Sequence, residues 1–267
     1  MSVRQLETRM VEKVWGRDCL PAPFSAPPGK RIGEIWFEPP PELPEVLVKY
    51  LFTSEKLSVQ VHPSDANAID GEAGKEECWF VLDATDDACL AIGFEREVSP
   101  AEIAAAARDG TIEQLLTWHP AKPGDFFYLP AGTVHAIGPG LSLVEVQQNS
   151  DTTFRLYDYG RPRELHLDRA LTVSDGVPYD PRHRGRVASR GQVLIDGRHF
   201  RLDRVEGQPD LATCEAYVGA LLALPLEGDI AARQGSARAK PGECLCASSL
   251  EDLDFSGAGL TLLTRAA

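Results

Sequence analysis

Apolar positions in this chain come in short runs broken by Gly and Pro, not at helical spacing. Such punctuation predicts many short strands and turns. Val46-Leu47-Val48-Lys49-Tyr50-Leu51 and Leu57-Ser58-Val59-Gln60 are rich in β-branched and aromatic residues and read as strands. Cys78-Trp79-Phe80-Val81-Leu82 and Ala88-Cys89-Leu90-Ala91-Ile92 read as a strand pair across the turn-like segment Asp83 to Asp87. Phe126-Phe127-Tyr128-Leu129 and Leu141 to Val146 are further strands. One segment breaks the pattern. Ser99-Pro100-Ala101-Glu102 has a capping Ser, a Pro at the first helical position and a Glu at the third, and the Ala-rich run to Arg108 ends at Gly110. It predicts a helix, with a second short helix over Ile112 to Trp118, together forming a surface insertion near 100–118. A helix is also predicted around Arg163 to Val173, then a charged, Gly/Pro-rich loop to about Arg190, then strands over 191–267.

The chain carries a weak internal echo. Lys122-Pro123-Gly124-Asp125 precedes an apolar strand, and Lys240-Pro241-Gly242-Glu243 precedes another. Gly140-Leu141-Ser142-Leu143 and Gly259-Leu260-Thr261-Leu262 follow at nearly the same offset. Two similar β-units are the natural reading, with domains at 1–175 and 176–267. The late copy has no His where the early copy has His135, so only the first unit can carry a His-based site.

Composition narrows the partners. The 267 residues hold 27 Lys+Arg against 40 Asp+Glu, a net charge of −13 that leaves no broad basic face for nucleic acid. No run approaches the roughly 20 apolar residues of a membrane span, and the N-terminus has no apolar signal core. The six cysteines are scattered, so they read as reduced and mostly buried in a cytoplasmic protein. Cys244-Leu245-Cys246 has poor spacing for tetrahedral zinc and no second pair, and reads as core packing.

The candidate chemistry lies in the first unit. Gln60 and His62 alternate on one strand and face the same side. Glu77 opens the next strand, and His135 ends the run Gly124-x5-Pro130-x-Gly132-x2-His135. Imidazole and carboxylate suit a borderline divalent cation, and a set without thiolate leaves a position open. Taken singly, each His reads as a hydrogen-bonded structural residue and Glu77 as a solvated strand end.

The Gly124 to His135 run resembles the second motif of the cupin barrel, and Gln60-x-His62 with a late Glu77 departs from the usual first motif. Leu57 to Asp65, Gly74-Lys75-Glu76-Glu77-Cys78-Trp79, Gly124 to His135 and Gln147 to Tyr159 together resemble the type I mannose-6-phosphate isomerases of the cupin superfamily, in a short bacterial-type form. Trp15-Gly16 and Ile32-Gly33-Glu34-Ile35-Trp36 fit the same pattern. The resemblance covers about residues 10 to 175. It implies a mainly β fold of two cupin-like (jelly-roll) β-barrels with a small helical insertion, and the family's large helical domain is expected to be absent from this chain. It also implies one Zn2+ per chain held by Gln60, His62, Glu77 and His135. It places Arg155, Lys75 and Glu145 in the catalytic set, Ser58 near a phosphate, and Arg161 where the family has a further basic residue.

The implied reaction is the interconversion of mannose 6-phosphate and fructose 6-phosphate. It moves a proton between C1 and C2, and a metal with Arg155 would carry the developing enediolate charge. Glu145, Lys75 or a water on the metal could be the base. Two rivals stand beside this reading: a non-catalytic sugar-phosphate-binding cupin and a metal-dependent cupin oxygenase. Gln60 in place of His weighs against the oxygenase. The acidic total requires that Lys75, Arg155, Arg161 and the metal concentrate positive charge in one pocket.

Overall fold

The computed structural model describes residues 3–69, 71–186 and 192–267; the N-terminal pair Met1 and Ser2 and part of the expected charged loop lie outside them. The fold is mainly β. Its largest sheet has seven strands, including Ile32–Phe37, Val46–Phe52, Glu77–Ala84, Asp125–Leu129 and Leu141–Gln148. A five-stranded sheet runs Phe154–Tyr157, Val59–Val61, His135–Ile137, Cys89–Phe94, Leu116–Pro120.

Alternation along the strands decides how these sheets stack. Leu51, Trp79, Val81 and Leu143 of the seven-stranded sheet share a core with Leu90, Ile92 and Ile137 of the five-stranded one. The intervening residues Tyr50, Phe52, Phe80 and Val144 face the other way, against Phe200, Leu202, Leu222 and Leu262 of a six-stranded sheet. The outer face of the five-stranded sheet (Val59, Val61, Ala136, Leu156) is covered by Ile103, Ala106 and Ala107 of helix Pro100–Asp109 and Ala170 of helix Leu167–Val173. Beyond the six-stranded sheet, Leu221, Ala223 and Leu263 pack on Ile230, Ala239 and Leu253 of a three-stranded sheet.

Several sequence expectations hold, and several are corrected. Helix Pro100–Asp109 is capped as read, with Ser99 Oγ accepting from Glu102 N–H and Gly110 left-handed at φ 84°. The second short helix is a single 3-10 turn, Thr111–Gln114, and Leu116–Pro120 is a strand paired with Cys89–Phe94. Trp118 and its β-prone neighbours find a ladder there, and pairing overrides local helical spacing. The segments 78–82 and 88–92 do not pair. They lie in different sheets, and Trp79 and Val81 meet Leu90 and Ile92 face to face across the core. The later helix starts at Leu167, because Arg163 is held by Asp158 and His166 by Arg155. A further helix, Leu211–Ala216, interrupts the expected late strands. All six cysteines are free; Cys244 and Cys246 are buried in the inter-sheet core, whereas Cys19 and Cys214 are exposed. No helix among the described residues is long and apolar enough to cross a membrane.

The internal echo extends to topology. Neighbours 125–129, 77–84, 141–148 and 46–52 in the seven-stranded sheet match 245–247, 221–225, 260–266 and 200–206 in the six-stranded one. Both Lys-Pro-Gly turns close alike, with Asp125 N–H donating to Lys122 O at 3.0 Å and Glu243 N–H to Lys240 O at 2.9 Å. Gly124 and Gly242 have φ of 86° and 94°, which favours glycine.

Candidate metal centre

Cross-strand register brings the candidate residues together from two facing sheets. In the five-stranded sheet Gln60 sits between His135 on one side and Arg155 on the other. In the seven-stranded sheet Lys49, Glu145 and Trp79 form one row, and Gln147 and Glu77 the next on the same face. Two glycines set the loops. Gly132 adopts φ 87° and donates to His62 O at 2.9 Å, and a Cβ there would meet Asp175 Oδ2 at 2.5 Å. Gly74 donates to Asp65 Oδ1 at 2.7 Å, and a Cβ there would lie 2.5 Å from Asp65 N. Lys75 N–H then bonds Pro63 O.

His62, Glu77 and His135 are buried and present ligand atoms within 4.8 Å of one another. His62 Nδ1 lies 2.9 Å from Thr152 O, and His135 Nδ1 lies 2.9 Å from Thr133 O. A carbonyl can only accept, so in the neutral ring the proton sits on Nδ1 and Nε2 is an acceptor, which Lys75 Nζ approaches to 3.1 Å at His62. Burial, with help from His62 and Lys75, drives the His135 pKa down to about 3 against the pull of Glu77, so this ring is neutral. Each Nε2 lies 3.3 Å from a Glu77 oxygen, Oε2 for His62 and Oε1 for His135. Burial would raise the Glu77 pKa, but Lys75 and then His62 hold it well below the usual carboxylate range. Neither Glu77 oxygen receives a directed hydrogen bond among the described residues, although Lys75 Nζ lies 2.8 Å from Oε2. Acceptors thus converge on acceptors around Lys75, an arrangement that a bound divalent cation satisfies. Gln60 borders the group: its Nε2 is 3.3 Å from His135 Nε2, and its Oε1 accepts from Ser58 Oγ at 3.1 Å.

A cavity of about 210 Å³ adjoins this centre and is lined by Ser58, Gln60, Lys75, Glu145 and Arg155 among the sequence candidates. Arg161 is not in its lining. The Arg161 guanidinium is held by Asp158 Oδ1 at 2.9 Å and Lys56 O at 2.8 Å, over the Tyr159 ring. Arg163 lines the cavity instead, with both ends of its fork on Asp158 at 2.6 Å.

Sequence reasoning passed over Lys49, Lys13, Glu34 and Asp151, which also line this cavity. Lys49 Nζ is 2.9 Å from Glu145 Oε1 and 4.7 Å from the Trp36 ring centre. A lone charge inside the apolar run Val46 to Leu51 was the available signal. Burial opposes the charge on Glu34, but Lys49, Lys13 and the Trp36 N–H together lower its pKa. Five cations (Lys13, Lys49, Lys75, Arg155, Arg163) against Glu34, Glu145 and Asp151 make the cavity locally cationic on a chain of net charge −13.

No family model matches the chain. Over 147 residues it is 44% identical to the mannose-6-phosphate isomerase ManA of Bacillus subtilis (strain 168), a match covering 52% of this chain and 46% of that one. The fold superposes on the crystal structure of the mannose 6-phosphate isomerase from Bacillus subtilis with a TM-score of 0.82 at 26% identity, over 99% of this chain and 100% of that one. The chain resembles the mannose-6-phosphate isomerases in sequence and in fold. It spans about half the length of the curated relatives it matches in sequence. A zinc-bound mannose 6-phosphate isomerase structure shares the fold at a TM-score of 0.73 and 15% identity, each chain being covered in full.

Proposed function

We propose that this chain is a metal-dependent aldose–ketose isomerase that interconverts mannose 6-phosphate and fructose 6-phosphate. The observation that carries this reading is the acceptor cluster His62, Glu77, His135 beside a small cationic cavity whose lining residues Lys75 and Gln60 touch it. The resemblance to mannose-6-phosphate isomerases supplies the substrate class. A cavity of about 210 Å³ is below the ~300–1,000 Å³ of drug-sized sites and suits a single sugar unit.

His62, Glu77 and His135 would hold Zn2+, one per chain, with Gln60 as the fourth ligand once its amide turns its oxygen inward. Bound zinc supplies electrophilic polarisation of a substrate oxygen. Arg155 contributes a fixed positive charge beside the oxygens of the developing enediolate. Glu145 accepts from Trp79 Nε1 at 2.9 Å through Oε2 and ion-pairs with Lys49 at 2.9 Å through Oε1, which receives no directed hydrogen bond among the described residues, so we assign it to fixing Lys49 in the cavity wall. Lys75 Nζ lies at the centre itself, and we assign it the proton shuttle: as the free amine it would take the proton from C2 of the aldose, and the ammonium so formed would return it to C1 of the enediolate. Ser58 Oγ, which donates to Gln60 Oε1 here, would accept from the Gln60 amide N–H after that turn, and it borders the sugar phosphate. Phosphate recognition falls to the cavity-lining cations, with Arg163 in the place expected for Arg161.

The repeated strand order supports two cupin-like barrels, the first with the centre and the second without one; Arg184–Arg186 pairs into the seven-stranded sheet and Val3–Gln5 into the six-stranded one, so we place the boundary after Arg186 rather than at 175. Six free cysteines agree with a reducing, cytoplasmic setting. An assay coupled to fructose 6-phosphate, run with mannose 6-phosphate and with glucose 6-phosphate, tests the reading. Turnover of mannose 6-phosphate alone supports it. Binding without turnover would make the chain a sugar-phosphate-binding protein.

A further inference from the structure

We propose that His166 is a positioning residue for Arg155, an inference that rests on the isomerase reading. Strand Phe154–Tyr157 is the edge of the five-stranded sheet and pairs on its inner side with Val59–Val61. The outward backbone groups of Arg155 therefore need partners from elsewhere. His166 supplies both. Its Nδ1 accepts from Arg155 N–H at 3.2 Å, and its own N–H donates to Arg155 O at 2.8 Å. Two residues earlier, Glu164 O accepts from Arg155 Nη1 at 2.7 Å. The segment 164–166 thus grips Arg155 at the backbone and at the guanidinium, while Arg155 Nε stays buried without a partner among the described residues.

The position makes this use of an imidazole notable. His166 stands at the N-cap of helix Leu167–Val173, where Ser, Thr, Asp or Asn would accept from the helix's own N–H groups. His166 makes no such bond, and its acceptor serves Arg155. Only Nδ1 is used in this way; Nε2 faces Glu164 Oε2 at 4.0 Å. An arginine that stabilises a developing charge is sensitive to shifts of about 1 Å, so a clamp on its backbone acts on turnover.

The test uses the zinc-loaded full chain with His166→Ala and His166→Asn. Asn keeps an acceptor near the Nδ1 position. His166→Ala should lower kcat by about tenfold or more, with KM changing less, and with zinc content and Tm near wild type. The Arg155 amide, followed by NMR hydrogen exchange, should lose protection by at least about tenfold as its bond opens. His166→Asn should restore most of both. Unchanged kcat and protection in His166→Ala, a loss that His166→Asn shares in full, or a loss of zinc would each overturn the proposal. Absence of isomerase activity in the wild type would count against the functional reading instead, and the exchange measurement would still decide the clamp.

Discussion

Replacing Lys49 by Met tests whether the polar wall of the cavity is built as described. The Lys49 and Glu145 side chains are only 3% and 4% exposed, and their ion pair is 2.9 Å long. Burial alone would favour a neutral amine, but Glu145 and then Glu34 raise the Lys49 pKa above the ordinary lysine range. Lys49→Met leaves the Glu145 carboxylate buried with Trp79 Nε1 as its remaining donor. Stripping one partner from a buried pair costs about 3–5 kcal/mol. For a chain of this size about 2–4 °C accompanies each kcal/mol, so Tm should fall by about 6–20 °C. Glu145→Gln should cost less, because Lys49 keeps Glu34 and the Trp36 ring face. The double variant should be milder than the sum by up to about 3 kcal/mol, the range for residues in direct contact. A raised lysine pKa stabilises the fold fully below the unfolded value of about 10.4 and loses that contribution as pH rises past it. The effect should therefore be complete at pH 7 and shrink only in alkaline solution. Thermal melts of the four proteins at pH 7 decide the matter. A Lys49→Met variant within about 1 kcal/mol of wild type, or strictly additive single variants, would show that Lys49 and Glu145 are not a coupled buried pair.

Two further variants address the centre and the charge beside it. His135→Ala should abolish stoichiometric zinc and activity while the chain still folds, as read by elemental analysis and circular dichroism. A full zinc content in an inactive variant would remove His135 from the ligand set. Arg155→Ala should lower turnover by at least ~100-fold with zinc retained, the scale for losing a transition-state contact; wild-type turnover would take Arg155 out of the mechanism.

The strands and the candidate centre were largely legible because short range decides them. The Gly124 to His135 run requires a left-handed Gly132 and delivers His135 to a strand start. Gln60 follows from alternation, and His62 continues it one residue past the end of strand Val59–Val61. Long-range pairing was less legible. Cys78 to Leu82 and Ala88 to Ile92 are apolar on both faces, so nothing local distinguishes hairpin partners from strands that face each other across a core. Leu116 to Pro120 carries helix-compatible spacing, but Cys89–Phe94 offers it a free edge. Arg161 and Arg163 lie two residues apart and share Asp158; which of them borders the cavity depends on how the loop after Tyr157 turns. Lys49 and Glu34 read as strand residues, and only the register with Glu145 and Trp36 shows them as a wall of the site.

In the proposed isomerase, His62, Glu77 and His135 hold a zinc ion on which isomerisation depends. The most direct measurement is mannose 6-phosphate isomerase activity of the full chain after dialysis against a chelator, followed by titration with zinc. Activity should disappear with the metal and return as the chain takes up ~one equivalent. Full activity in the metal-free protein would contradict it.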